Sequence, residues 1–200
     1  MKYLLKQAIM PILNLLFCIT IGLAIFTIDE KMLWLEILLC VLNMLFFGLV
    51  SCVAAFKDGE KAYKVLLQND LQRKIIIQTG EDLPVNRAEE YKAWKGFAYG
   101  AIASIPTVVL VAIHYLLQWF GQDPTNLFGV IGGVYAIVVF GLFMVKGDLN
   151  SVAGGYVWAL LLLPYISIVI GVAYILGAKK VERQQKQIKQ THLKLHGEKD

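Results

Sequence analysis

Five apolar runs, near residues 8–27, 32–55, 97–119, 127–145 and 153–177, alternate along the chain with short polar turns and one long charged stretch, 56–96. A helix needs roughly 20 apolar residues to cross a hydrocarbon core of about 30 Å, and each run approaches or exceeds that length. The pattern therefore predicts an all-α chain, a polytopic membrane helical bundle forming one domain over 1–200. The charged stretch has a different periodicity. Tyr63, Leu66, Leu67, Leu71 and Ile75 recur at helical spacing, while Lys61, Lys64, Asp70, Arg73 and Lys74 fall largely elsewhere around the wheel. This predicts an amphipathic helix on the membrane surface or against the bundle, with those five apolar residues as its docking face. It should stop near Gln78, before Thr79-Gly80 and Leu83-Pro84. Asn86 with Glu89 three residues later is a capping-box pattern, predicting a second helix that runs unbroken into the third apolar run. The insert 56–96 is thus expected to hold two helices. In the tail, 178–200, Val181, Ile188 and Leu195 lie seven apart, too thin a stripe for a coiled coil, so the tail is expected to extend the last helix.

Composition agrees with this class, since 58% of residues are hydrophobic and only 17% charged, outside the balance of a soluble domain. The first apolar run follows Lys2 and Lys6 as a secretory signal would. It is about twice the usual signal length and lacks a small-residue cleavage site, so it is expected to be a retained helix. A lipid-anchored Cys18 is disfavoured because Phe17 stands where a small residue is needed. Cys18, Cys40 and Cys52 all lie inside apolar runs, as reduced, small hydrophobes would.

Lysine and arginine orient membrane helices by staying on the cytoplasmic side. Two lie at the N-terminus, eight in the insert and seven in the tail; one lies in TIDEK, none in GQDPTN, and Lys146 stands alone in KGDLN. With the N-terminus, insert and tail all cytoplasmic, seventeen lie inside and two outside. That arrangement needs an even number of crossings between insert and tail, yet three apolar runs lie there. The run 127–145, short and interrupted by Gly129, Gly132, Gly133 and Gly141, is the expected exception, a re-entrant or interfacial segment. The bundle then has four crossings in a bacterial inner membrane. The alternative is five crossings with the tail outside, which lowers the inside count to eleven against eight.

Ionisable groups within spans are expensive and mark functional positions by default. Glu36 and His114 lie at similar depth near the outer ends of the second and third runs, as a proton-responsive pair would. The favoured expectation is simpler: Glu36 reaches the interface beside Lys31 and His114 makes one interhelical hydrogen bond. Asn14 and Asn43 are expected to bond across helices. Gly96, Gly100 and Ser104 form a small-residue stripe for close packing, and Gly129 with Gly133 repeats the spacing. Lys92, Lys95, Lys179, Lys180, Arg183 and Lys186 are placed to hold anionic lipid headgroups. Asp58-Gly59-Glu60 lacks the ligands of a calcium loop, the insert has no His or Cys for zinc, and no phosphate-cradling loop occurs. No metal, cofactor or catalytic grouping is expected. The tail lacks the interleaved aromatics of a nucleic-acid platform, so nucleic acid is not an expected partner.

FKDGEKA after the second run, KGFAYGAIASIP entering the third and GVAYILGAKK leaving the last together resemble small polytopic membrane proteins of Gram-positive bacteria. The resemblance covers about a quarter of the chain, does not extend over 121–155, and implies paired cytoplasmic ends. The expected function is that of a non-catalytic accessory or scaffold subunit, acting through its cytoplasmic helices on a protein partner or a second copy. A small oligomeric transporter or channel using Glu36, His114 and the glycine-rich segment is the alternative.

Overall fold

The computed structural model describes residues 2–26, 33–120 and 162–197, and these form an all-α structure of four helices: α1 (Lys2–Phe26), α2 (Leu33–Thr79), α3 (Ala93–Trp119) and α4 (Leu162–Gly197). The segment 127–145, with Gly129 and Gly133, lies outside the described residues.

The first departure from expectation is α2. Its 47 residues form one helix about 70 Å long that fuses the second apolar run with the amphipathic segment of the insert. Between the two, only Gly59 weakens the helix, by about 1 kcal/mol, and the alanines around it compensate. The helix ends where Gly80 takes a positive φ of 73° and donates its N–H to the Ile76 carbonyl at 2.9 Å, a left-handed cap that glycine adopts without strain.

The second departure follows it. Residues 80–92 form a return strap rather than a second helix, because tertiary bonds to α2 replace helical ones. Asn69, buried on α2, donates from Nδ2 to the Asn86 carbonyl at 3.0 Å and accepts the Asn86 N–H at 3.2 Å. The Tyr91 N–H donates to the Ala62 carbonyl at 3.1 Å. Asn86 does cap the Glu89 N–H at 3.3 Å, but only a single turn follows, and α3 starts at Ala93. The insert is therefore one helix and a strap. The tail, by contrast, does continue the last helix, as far as Gly197.

Contacts fix the relative directions. Asn14 on α1 meets Phe47 and Ser51 on α2 while Cys18 meets Asn43, so α1 and α2 are antiparallel. Gly96 faces Tyr174 while Gly100 faces Ser167, so α3 and α4 are antiparallel too. α2 and α4 run parallel, with Gly48 near Tyr165, Gly59 near Tyr174 and Glu60 near Lys180. Two consequences follow. The charged segments at the start of α1, the end of α2, the strap and the end of α4 gather at one end of the bundle. The last residues of α3 lie at the opposite end, well beyond the start of α4, since Gly100 already faces Ser167.

A soluble bundle confines its apolar stripe to the inside, whereas here inside and outside are both apolar. The interior holds large residues such as Phe47, Tyr99, Ile166, Ile170 and Tyr174 together with small and polar ones, among them Ala8, Ala55, Ala62, Ala103, Asn14, Asn43 and Ser51. The exterior carries continuous apolar stripes, such as Trp34, Leu38, Leu42, Leu45, Leu49 and Val53 on α2. Among the described residues, one segment, Pro164–His192, is long and apolar enough by length and composition to cross a membrane.

Candidate functional site

The densest polar organisation stands at the charged end, where all four helices and the strap meet. Small residues build it by letting backbones approach. A Cβ on Gly59 would collide with the Tyr174 carbonyl oxygen, and one on Gly177 would collide with the Phe56 carbonyl oxygen, so the α2–α4 crossing admits only glycine at both positions. On the other side of α4, a Cβ on Gly96 would lie 2.8 Å from the Tyr174 Cβ, and one on Gly100 would lie 2.8 Å from the Ser167 Cα. Ser104, fully buried below them, donates to its own helix at Ala101. α4 is held between α2 and α3 through these contacts.

Around the crossing, aromatic rings link α2, the strap, α4 and α3. Tyr63 of α2 meets Tyr91 of the strap edge-on at 5.7 Å, Tyr91 stacks on Tyr174 of α4 at 5.5 Å, and Tyr174 meets Tyr99 of α3 edge-on at 6.3 Å. Such pairs are each worth about 0.5–1.5 kcal/mol beyond their buried area. Tyr91's place in this row is one reason that α3 does not begin earlier. Lys95 lies 6% exposed, with its ammonium donating to the Ala88 and Glu90 carbonyls at 2.7 Å each and 5.6 Å from the Tyr3 ring centroid. Burial, with Lys92 nearby, pushes the Lys95 ammonium below its ordinary pKa. Glu90 accepts from Arg73 at 2.8 Å, and Arg73 also bonds Asp70 at 2.9 Å. Burial raises the Glu90 carboxyl, but Arg73, Asn69 and Lys92 outweigh it, and the group titrates below its ordinary value. Burial raises Asp58, partly offset by Lys61.

The positions singled out by sequence are distributed as follows. Asn14 donates to the Phe47 carbonyl and Ser51 Oγ, both at 3.1 Å, and Asn43 donates to the Cys18 carbonyl at 2.9 Å, so both asparagines join α1 to α2. Glu36 and His114 lie within α2 and α3, outside the described side chains. Among the lysines assigned to headgroups, Lys95 is corrected: the strap carbonyls are nearer to its ammonium than any outer surface, and they bind it. Lys180 pairs with Glu60 at 2.7 Å and lies 5.3 Å from the Phe56 ring centroid; Lys186 pairs with Glu182 at 2.7 Å. Lys92, Lys179 and Arg183 are exposed. The docking face is corrected in part. The inward face of the α2 extension runs through Ala55, Gly59, Ala62, Leu66 and Asn69, with Tyr63 and Leu67 half-buried beside it. Leu71 and Ile75, 61% and 42% exposed, point away from the fold.

Gly59, Gly177 and Tyr174 were missed as organising residues. Their signal was the spacing Ala55, Gly59, Ala62 across the boundary between apolar run and insert, matched by Ala173, Gly177 and Ala178 near the end of the last run. Among the described residues no three His, Cys, Asp or Glu side chains stand close enough together to hold a metal ion. No family model matches the chain, and neither does any curated protein or solved structure.

Proposed function

We propose that this chain is a multi-pass membrane protein whose non-catalytic role is to hold a rigid helical arm at the cytoplasmic surface, where a partner protein docks. The carrying observation is the α2 extension: one unbroken helix leaves the apolar layer, is locked to α4 and the strap along one face, and leaves Leu71 and Ile75 uncovered on another. Uncovered apolar side chains on a braced, charged arm suit a protein surface, because a helix inside lipid needs no bracing by ion pairs.

Membrane embedding is supported by the apolar exterior and by the aromatic positions. Exposed Trp94 and Trp119 lie at opposite ends of α3, about 38 Å apart by helical rise, between the hydrocarbon thickness of about 30 Å and the full bilayer of about 40–45 Å. Four crossings are supported by the antiparallel α3 and α4. The gathering of basic segments at one end supports a cytoplasmic assignment for that end.

The test is a photo-crosslinking amino acid at Leu71, irradiated in native membranes. A discrete partner adduct is expected, and it should vanish in a Leu71→Glu, Ile75→Glu variant. These positions are exposed, so the bundle's stability should change by no more than about 0.5 kcal/mol per site. Recovery of only the bare protein, or of the same adduct in the double variant, would count against the arm as a docking element.

A further inference from the structure

We propose that the outer face of the α2–α4 crossing is a binding groove for one acyl chain of an anionic glycerophospholipid, with the lipid phosphate at Lys57 and Lys180. The proposal rests on the membrane reading and goes beyond it by naming a site and a ligand class. The groove encloses about 620 Å³ between the two helices. Its walls are Val53 and Phe56 from α2 and Ile168, Val172 and Leu176 from α4. Along α4 it runs from Ile168 to Lys180, about 18 Å of helix, comparable to one leaflet of a hydrocarbon core about 30 Å thick.

Two features select the occupant. The first is charge. The groove opens, at the charged end of the bundle, on Lys57, Lys180 and Glu60. Lys180 shares its ammonium with Glu60, while Lys57 is exposed and has no ion-pair partner among the described residues. The mouth thus carries two cations and one anion, and the single positive charge left over complements a phosphodiester monoanion. The second is shape. A transmembrane helix from a partner, or from a second copy, packs where small residues admit a backbone. Here the rim is built from Val, Ile, Leu and Phe, which leaves a slot suited to a flexible hydrocarbon chain rather than to a cylinder about 10 Å wide.

The full chain, purified in mild detergent, is offered phosphatidylglycerol and phosphatidylcholine of matched chains and examined by native mass spectrometry. The wild type should retain one phosphatidylglycerol, with roughly tenfold preference over phosphatidylcholine, the scale of one to two lysine contacts. Val172→Trp, which fills the slot from a half-exposed position, should abolish retention. Val109→Trp, on the exposed face of α3, should not. Lys57→Gln should erase the headgroup preference while keeping the hydrocarbon contact. Retention unchanged in Val172→Trp, equal binding of both lipids by the wild type, or a protein dimer in place of the lipid adduct would overturn the proposal. Release of the wild-type chain from membranes by alkaline carbonate would instead overturn the membrane reading. A chain that resists carbonate but still holds lipid in Val172→Trp removes the groove alone.

Discussion

Gly59→Ala and Gly177→Ala will each destabilise the bundle by about 3 kcal/mol or more, the upper end of overpacking penalties, as measured by denaturant or thermal unfolding in detergent. The size of the effect follows from what the added methyl group meets. At both positions it meets a backbone carbonyl of the facing helix, Tyr174 for Gly59 and Phe56 for Gly177, and a carbonyl within a helix cannot turn aside as a side-chain end can. Relief requires the two helices to separate, which loosens the ring contacts of Tyr174 with Tyr91 and Tyr99 as well. Gly48→Ala is the matched control. It lies on the same helix, yet its nearest neighbour would be the Tyr165 hydroxyl at 3.6 Å, an ordinary contact, so the change should be close to neutral. Equal effects at Gly48 and Gly59 would mean that helix propensity, not the crossing, governs these positions.

Lys95→Met should cost about 3 kcal/mol and loosen the strap. Lys95 makes two short charge-assisted hydrogen bonds to carbonyls of residues 88 and 90, and bonds to charged groups contribute about 1.5–3 kcal/mol each before the carbonyls regain water. Methionine keeps the stem's packing and removes the bonds. The strap is otherwise held by Asn69, Arg73 and the Tyr91 amide, so its loss should appear as faster hydrogen exchange at Asn86 and Tyr91, while the α1–α2 interior exchanges as before. Lys95→Arg should not rescue it, because a planar fork does not fit two carbonyls converging on one ammonium. Unchanged exchange in Lys95→Met would assign that lysine to the surface, as its position before an apolar run suggested.

The contrast between these two sites explains what the sequence revealed. Charge distribution is a global property, and the clustering of basic residues into three stretches survives any local error; the helices bring those stretches to one end of the bundle. The end of α2 was legible because Thr79-Gly80 is a local stop signal and nothing distant competes with it. The start of α3 was not. Asn86 and Glu89 form a genuine local cap, but one turn later Glu90 is held by Arg73 and the Tyr91 amide by Ala62, and these partners are 17 and 29 positions away along the chain. The docking face was half legible for a different reason. Periodicity ranks large apolar residues as inward, whereas helices that cross closely bury the smallest ones, here Ala55, Gly59 and Ala62, and turn Leu71 and Ile75 outward. Lys95 was misread by the same habit of treating a lysine beside an apolar run as outward-reaching. FKDGEKA, KGFAYGAIASIP and GVAYILGAKK, separate in sequence, supply the glycines and two of the four tyrosines of one junction.

The central claim is that the end of α2 and the end of α4 stand together on the cytoplasmic side, opposite Trp34 and Trp119. Single cysteines can be placed at Gln78, Gln190, Trp34 and Trp119 in a background with Cys18, Cys40 and Cys52 replaced, and probed in intact cells with a membrane-impermeant maleimide. Gln78→Cys and Gln190→Cys should label only after permeabilisation, while Trp34→Cys and Trp119→Cys label at once. Labelling of Gln78→Cys and Gln190→Cys from opposite sides, or of both in intact cells, would contradict it.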